Sequence, residues 1–254
     1  MLISCMYHHV EADRHSNSLS VFENHLRYIH QHFNVVLPPD VLSEDRPNIC
    51  MVFDDAGYSF YKYVFPLLRQ FDLRVLLAVS PKFILESSGS IDEVTRLGVP
   101  AEEMMVGDTH VKAVPFCTWK ELLEMSKTSN VKIASHAYSH SNLLESTEVE
   151  DEVKRSKELL EGRLDRAVDS FVYPYGQFNA RIARSVRRHH RYSFAVGAGD
   201  NKTWEGIGGI LFRIAADNLK DPVSLLSGKS LRRYKYLRFR LYAKKWYMDR
   251  RPSV

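Results

Sequence analysis

Cysteine is scarce in this chain: three residues in 254, Cys5, Cys50 and Cys117, with no CxxC pair. An odd number at such spacing excludes a disulfide scaffold and a cysteine-rich zinc ribbon. Cys5 and Cys50 lie inside apolar runs and read as buried, reduced thiols. Long apolar runs are missing too, and nothing approaches the roughly 20 residues that a bilayer-spanning helix needs. The opening Met1-Leu2-Ile3-Ser4-Cys5-Met6-Tyr7 has neither a basic start nor an extended apolar stretch. That predicts no cleaved leader and a cytoplasmic setting. There is no internal repeat, and no nucleic-acid recognition motif accompanies the basic residues, so nucleic acid is not an expected partner.

What is present suffices for one large core, with 44% hydrophobic and 26% charged residues. The formal charge of +4 is unevenly spread: ten Lys and Arg lie between Lys229 and Arg251 against a single acid, Asp249. The chain before them is net acidic. This divides the sequence into a body, residues 1–227, and a basic aromatic tail, residues 228–254. Cations interleaved with aromatics suit peripheral contact with an anionic membrane; a basic helix packed on the acidic body accounts for them equally well.

Short apolar runs alternate with amphipathic stretches. Strands are predicted at Leu2–Tyr7, Asn34–Leu37, Ile49–Phe53, Arg74–Val79, Val131–Ser135, Ser170–Tyr173, Ser193–Val196 and Leu211–Ile214. Helices are predicted at Val21–His32, Phe60–Phe71, Thr118–Thr128, Thr147–Leu164, Asn179–His190 and Pro222–Leu226. Pro66 should kink or end the second of these, and Thr147 through Glu150 has the character of a helix start. The alternation predicts an α/β fold, a parallel sheet with helices outside, open or closed into a barrel. Residues 80–116 are long for a connection and read as an insertion or lid.

In such folds ligands gather at the carboxyl ends of the strands. Tyr7-His8-His9, Asp54-Asp55, His136 and Tyr173-Pro174-Tyr175-Gly176 each follow a predicted strand and therefore share one rim. One carboxylate and the two imidazoles of His136-x-x-x-His140 make a usable ligand set for a divalent metal with an open position, leaving Asp54 as a base. On a helical turn residues i and i+4 share a face, so both imidazoles could reach one ion. On its own an aspartate pair reads first as a helix cap. Its value comes from the neighbouring histidines. The set points to metal-assisted hydrolysis.

Phe53-Asp54-Asp55-Ala56-Gly57, His136-Ala137-Tyr138-Ser139-His140-Ser141-Asn142-Leu143 and Phe171-Val172-Tyr173-Pro174-Tyr175-Gly176 occur in this order. They resemble the first three motifs of the polysaccharide deacetylase family, the NodB-homology carbohydrate esterases. Tyr7-His8-His9-Val10 and Thr118-Trp119-Lys120-Glu121-Leu122 resemble segments of its poly-N-acetylglucosamine deacetylase branch. The resemblance spans about residues 2–215. It implies a distorted (β/α)7-type barrel and a metal-dependent amide hydrolase. By position Asp55, His136 and His140 would bind the metal, most often zinc, and Asp54 would be the general base. Tyr175 would offer a backbone N–H to the oxyanion, with Tyr173, Pro174 and Gly176 in the groove wall.

Three departures from the family pattern stand out. Ala56 replaces the glycine usual after the aspartate pair, which strains a turn that needs positive φ. Val172 replaces an arginine, so Arg213, on the last strand, is the candidate to orient Asp54 from within the substrate groove. No Leu-x-His motif supplies a general acid: His189 and His190 sit in an Arg-rich stretch that reads as a solvated helix end. His8 is the candidate substitute, with His9 and His110 behind it. A fourth motif is at best Asp200 to Trp204, with Trp204 stacking on a sugar or packing on the barrel.

The expected activity is deacetylation of an N-acylated amino sugar in a surface-glycan precursor of the O-antigen kind, lipid-linked or nucleotide-linked, or in a polysaccharide. The rivals are a catalytically silent carbohydrate-binding or membrane-docking homologue, and a deformylase of a lipid-linked sugar.

Overall fold

The computed structural model describes residues 1–197, 199–217 and 219–249, with side chains through Arg240 in the last helix. Seven parallel strands close in sequence order: β1 (Leu2–Tyr7), β2 (Asn48–Phe53), β3 (Val75–Val79), β4 (Val131–Ser135), β5 (Ser170–Val172), β6 (Tyr192–Val196) and β7 (Leu211–Ala215). β1 shuts the barrel by pairing with β2 over its whole length, Leu2 opposite Asn48 to Tyr7 opposite Phe53, and with β7 through Ser4 opposite Arg213. A short strand, Asn34–Val35, adds to the start of β2. The resemblance implied this (β/α)7 barrel; periodicity alone left an open sheet equally available.

Side chains of a strand alternate between faces, and here the alternation separates two cores. Leu2, Cys50, Val52, Leu76, Ala78, Ala134, Val172, Phe194 and Leu211 pack together inside the barrel. Ile3, Cys5, Tyr7, Ile49, Met51, Phe53, Val75 and Leu77 face the helices. Three inward series continue past or along the strands into polar residues: Cys50-Val52-Asp54, Leu2-Ser4-Met6-His8 and Leu211-Arg213. Period two alone therefore aims Asp54, His8 and Arg213 at the barrel axis.

The outer layer comprises α1 (Leu19–His32), α2 (Phe65–Phe71), α3 (Trp119–Ser126), α4 (Val149–Leu164), α5 (Ala180–His189) and α6 (Gly228–Asp249). Pro66 falls in the first turn of α2, and the five residues before that helix form a π-helical turn, Phe60–Val64. A proline lacks the N–H for an interior bond, so the ladder changes register there. α4 starts later than predicted, and Ser146 Oγ, not Thr147, accepts the Glu148 N–H at 3.1 Å. α3 opens with a reciprocal cap: Thr118 Oγ1 accepts from Glu121 N at 3.3 Å and Glu121 Oε2 from Thr118 N at 2.7 Å. All three cysteines are buried and free.

The tail is helical, and its first half packs on the barrel. Tyr234 is buried with its hydroxyl donating to Leu225 O at 2.8 Å, and Arg238 pairs with buried Asp200 at 2.6 Å. Asp200 adjoins Asn201, which bridges Leu2 at the amino end of β1. α6 thus descends to the barrel end opposite the Asp54 rim. No described helix is long and apolar enough to cross a membrane.

His190 corrects the expectation of a solvated helix end. It is 3% exposed, with its ring 5.3 Å from that of Phe171, and burial pushes its pKa down to about 3. The unfolded chain takes a proton on this residue near pH 6.5, whereas the folded chain refuses it until about pH 3. Between those values the unfolded state binds more protons, so stability falls as pH falls, by about 1.4 kcal/mol per unit for this one group. His190→Leu is expected to remove that share. Urea midpoints from pH 4 to 6.5 should fall less steeply than in the parent; equal slopes would refute the assignment.

Candidate active site

The first aspartate leaves β2 held by its backbone, Asp54 N donating to Tyr7 O at 2.8 Å. The next two residues are left-handed, Asp55 at φ 68° and Ala56 at φ 53°. The positive φ suspected at Ala56 is therefore real, and the strain falls on an alanine that is fully buried. This turn swings Asp55 to the same rim as Asp54. The histidines converge differently from expectation: residues 136–140 are not helical, and left-handed Ala137 (φ 60°) and His140 (φ 54°) fold the loop back on itself.

Asp55 Oδ1 lies 3.5 Å from His136 Nε2 and 3.4 Å from His140 Nε2. His136 Nδ1 is 2.8 Å from Val172 O, so that nitrogen carries the proton and Nε2 presents its lone pair. Burial pushes the His136 pKa down to about 4, which keeps the ring neutral and able to ligate. Asp55 Oδ1 is buried without a hydrogen-bond donor among the described residues. An orphaned carboxylate oxygen facing the His136 lone pair and a second imidazole nitrogen, His140 Nε2, fits a cation, and an O, N, N donor set suits zinc.

Asp54, 3% exposed, is oriented by a residue 159 positions away: Arg213 Nη1 donates to its Oδ1 at 2.5 Å. Burial works against the charged carboxylate, but Arg213, then His136 and His8, hold its pKa below the ordinary value. Arg213 is itself fully buried, so it touches Asp54 and not a groove ligand. The other carboxylate oxygen, Oδ2, faces His136 Nε2 at 4.0 Å and His8 Nε2 at 3.8 Å.

His8 stands on the far side of Asp54, gripped by Asp217. Its backbone N–H donates to Asp217 Oδ1 at 3.0 Å and its Nδ1 to Oδ2 at 2.7 Å. Burial lowers the imidazole pKa, but the bond to Asp217 and the charge of Asp54 outweigh it and raise the value to about 9. Sequence reading missed Asp217. Its one signal was position, an acid two residues beyond β7 on the shared rim.

His8, Asp54, Asp55, His136 and His140 line a cleft of about 630 Å³ whose walls include Met6, Met105, Val106, Tyr175 and Val196. Residues 80–116 supply one wall through Ala101, Glu102, Met105 and Val106. It is anchored by buried Arg96, which donates to Val114 O and Phe116 O at 2.9 Å each and forks onto both carboxylate oxygens of Glu121. Arg14 and Glu102, 2.5 Å apart, join that wall to the loop after β1.

The third motif divides. Tyr175, left-handed at φ 57° and 60% exposed, sets its ring 4.8 Å from that of His140. A Cβ on Gly176 would meet Val196 Cγ2 at 2.3 Å, so only glycine fits beside β6. Tyr173 is fully buried against Phe171 and Phe178, and Pro174 is buried as well; their side chains support the groove from behind. Trp204 is not at the cleft. Its Nε1 donates to Asp40 O at 2.8 Å and its ring meets Tyr192, at the opposite barrel end, where Asp200 is also found. His110 packs edge-on against Phe83 and does not line the cleft.

Solved structures share this architecture. A polysaccharide deacetylase of Bacillus cereus superposes with a TM-score of 0.72 at 16% identity, over 89% of this chain and 68% of that one. The Streptococcus pyogenes deacetylase PplD, solved with acetate, gives 0.70 at 17%, over 92% and 97%. IcaB of Ammonifex degensii gives 0.66 at 18%, over 85% and 92%. No curated protein matches the sequence. At such identities the likeness speaks for the barrel alone. A family model for polysaccharide deacetylase nevertheless matches residues 43–194, from before the aspartate pair to β6, and the chain belongs to that family of carbohydrate-deacetylating hydrolases.

Proposed function

We propose that the chain removes the acetyl group from an N-acetylated amino sugar of a surface-glycan precursor or polysaccharide, with zinc held by Asp55, His136 and His140. The observation that carries this reading is Asp55 Oδ1, buried, without a donor, and within 3.5 Å of both imidazole Nε2 atoms. Zinc bound there would polarise the amide carbonyl and acidify water near neutral pH.

Asp54 has one free oxygen, Oδ2, because Arg213 occupies Oδ1. Kept ionised by that pair, it takes the proton of the attacking water. The tetrahedral oxyanion lies beside Tyr175, whose backbone N–H is offered to it from the left-handed turn. As the C–N bond breaks, His8 Nε2 gives its proton to the departing amine. Asp217 fixes the ring so that Nε2, not Nδ1, faces the cleft. Acetate and the free amine leave.

Acetate release from N-acetylglucosamine oligomers and from nucleotide-linked N-acetyl sugars tests the reading. Activity is expected to vanish on chelation and return with one equivalent of zinc. Unimpaired activity in chelated protein, or no acetate from any panel member with zinc bound, would count against it; the latter favours a silent homologue.

The exposed face of α6 supports peripheral contact with an anionic membrane. Arg232, Arg233, Tyr236, Phe239 and Arg240 form one exposed stripe, with Tyr236 64% and Phe239 71% exposed, while Tyr234 packs inward. Each such cation near a bilayer contributes about 1 kcal/mol. The triple change Arg232→Glu, Arg233→Glu, Arg240→Glu is expected to cut binding to phosphatidylserine vesicles by on the order of 100-fold. Undiminished sedimentation with those vesicles would dispose of the contact.

A further inference from the structure

Across Asp54 from the Asp55 triad lies a second group of ligand type. His8, His15 and Asp217 bring one donor atom each to within 4.8 Å of one another. The His8 and His15 rings are 5.2 Å apart, and Asp217 Oδ2 is 2.7 Å from His8 Nδ1. The loop between them is shaped for this meeting. Left-handed Glu11 (φ 58°) and His15 (φ 47°) bracket it, and the parallel pairing of His9–Val10 with Ser16–Asn17 returns it to the rim. His9 N donates to His15 O at 3.0 Å, which pins the returning residue beside its partner. His15 is exposed, so a cation can reach the group from solvent.

We propose that His8, His15 and Asp217 form a second divalent-cation site, weaker than the first, whose occupation switches the enzyme off. Two imidazoles and a carboxylate make the same donor set as the Asp55 triad, and so select the same ion. Two cations in one cleft repel each other, so the second binds only when the metal is in excess. Binding exchanges the cation for the proton between His8 and Asp217, which leaves to solvent. With the cation on Nδ1, His8 is no longer an imidazolium; the Nε2–H that remains is a far weaker acid, and the departing amine loses its proton donor. The inhibitory role rests on the deacetylase reading; the site itself does not.

The test uses the full-length protein loaded with one equivalent of zinc. Calorimetric titration with further zinc is expected to show a second, weaker event, and acetate release should fall at least tenfold as that event saturates. His15→Ala removes one of the three ligands and should weaken the second event by at least tenfold, since losing a ligand costs no less than losing a group that merely supports one. It should leave both the first equivalent and the one-equivalent rate unchanged. A single binding event in the parent, or an undiminished second event in His15→Ala, overturns the site. A second equivalent that binds without slowing acetate release overturns the switch. Absence of acetate release at one equivalent bears instead on the deacetylase reading, because stoichiometry is measured independently of turnover.

Discussion

Asp54→Asn is expected to lower kcat for acetate release by on the order of 10³-fold while the zinc content stays at one equivalent. The side chain keeps its shape and loses only the charge that accepts the proton. Asp54 is not one of the three ligand residues Asp55, His136 and His140, and its Oδ1 is already committed to Arg213. A neutral amide cannot act as the base at any pH, so a more alkaline assay should restore nothing. KM should change little, because Asp54 acts on the attacking water and not on the sugar. Metal analysis and steady-state rates on the same sample make the check. A loss of less than tenfold, or a parallel loss of zinc, would remove Asp54 from the role of base.

Arg213→Met should produce the second large effect, this time on stability as well as rate. Arg213 is fully buried, and among the described residues Asp54 is its hydrogen-bonding partner, with Nε and Nη2 unpaired. Removing one member of a buried pair leaves the other as an uncompensated charge, which costs about 3–5 kcal/mol. For a domain of this size that is a fall of roughly 10 °C or more in melting temperature. The rate should drop by at least 10²-fold with KM nearly unchanged, since Asp54 loses its orientation and the guanidinium never meets the substrate. Arg213→Lys keeps the charge and should recover much of the stability but less of the rate, because an ammonium cannot reproduce the guanidinium's reach and plane. Equal recovery of both would mean that charge alone matters at this position.

The barrel's strands were legible because they are short apolar runs buried on both faces; their closure came from the motif resemblance. Leu2–Tyr7 and Val131–Ser135 are found at the predicted residues, and the other barrel strands shift by one residue at an end. Motif residues at strand ends were legible for a related reason: a parallel barrel puts all those ends on one rim. What escaped was whatever depends on partners far apart in sequence. Asp217 grips His8 across 209 residues, and neither carries a local signal for the other. The histidine spacing suggested a helical turn, whereas left-handed Ala137 and His140 achieve the same convergence in a loop. Trp204 sat near an acid in a loop and resembled a sugar platform, but strand order sends that loop to the other end of the barrel. A packed helix was one of two readings the tail allowed; what the sequence did not show was its anchorage, because Tyr234 and Arg238 take their places from contacts with Leu225 and Asp200 rather than from a regular apolar stripe.

The descent of α6 has a consequence for reach. From Arg232 to Arg240 its exposed cations and aromatics run down the side of a barrel whose strands span roughly 20 Å, towards the end where Arg238 meets Asp200, while the histidines and aspartates open at the other. A protein resting on a bilayer by that helix would hold its mouth towards the aqueous side, at least a strand's length above the lipid headgroups. Sugars flush with the surface would pass beneath it. Those borne on an outgrown chain or a long carrier would arrive at the height where the cleft opens, so anchorage would select substrates by their distance from the membrane before any side chain touches them.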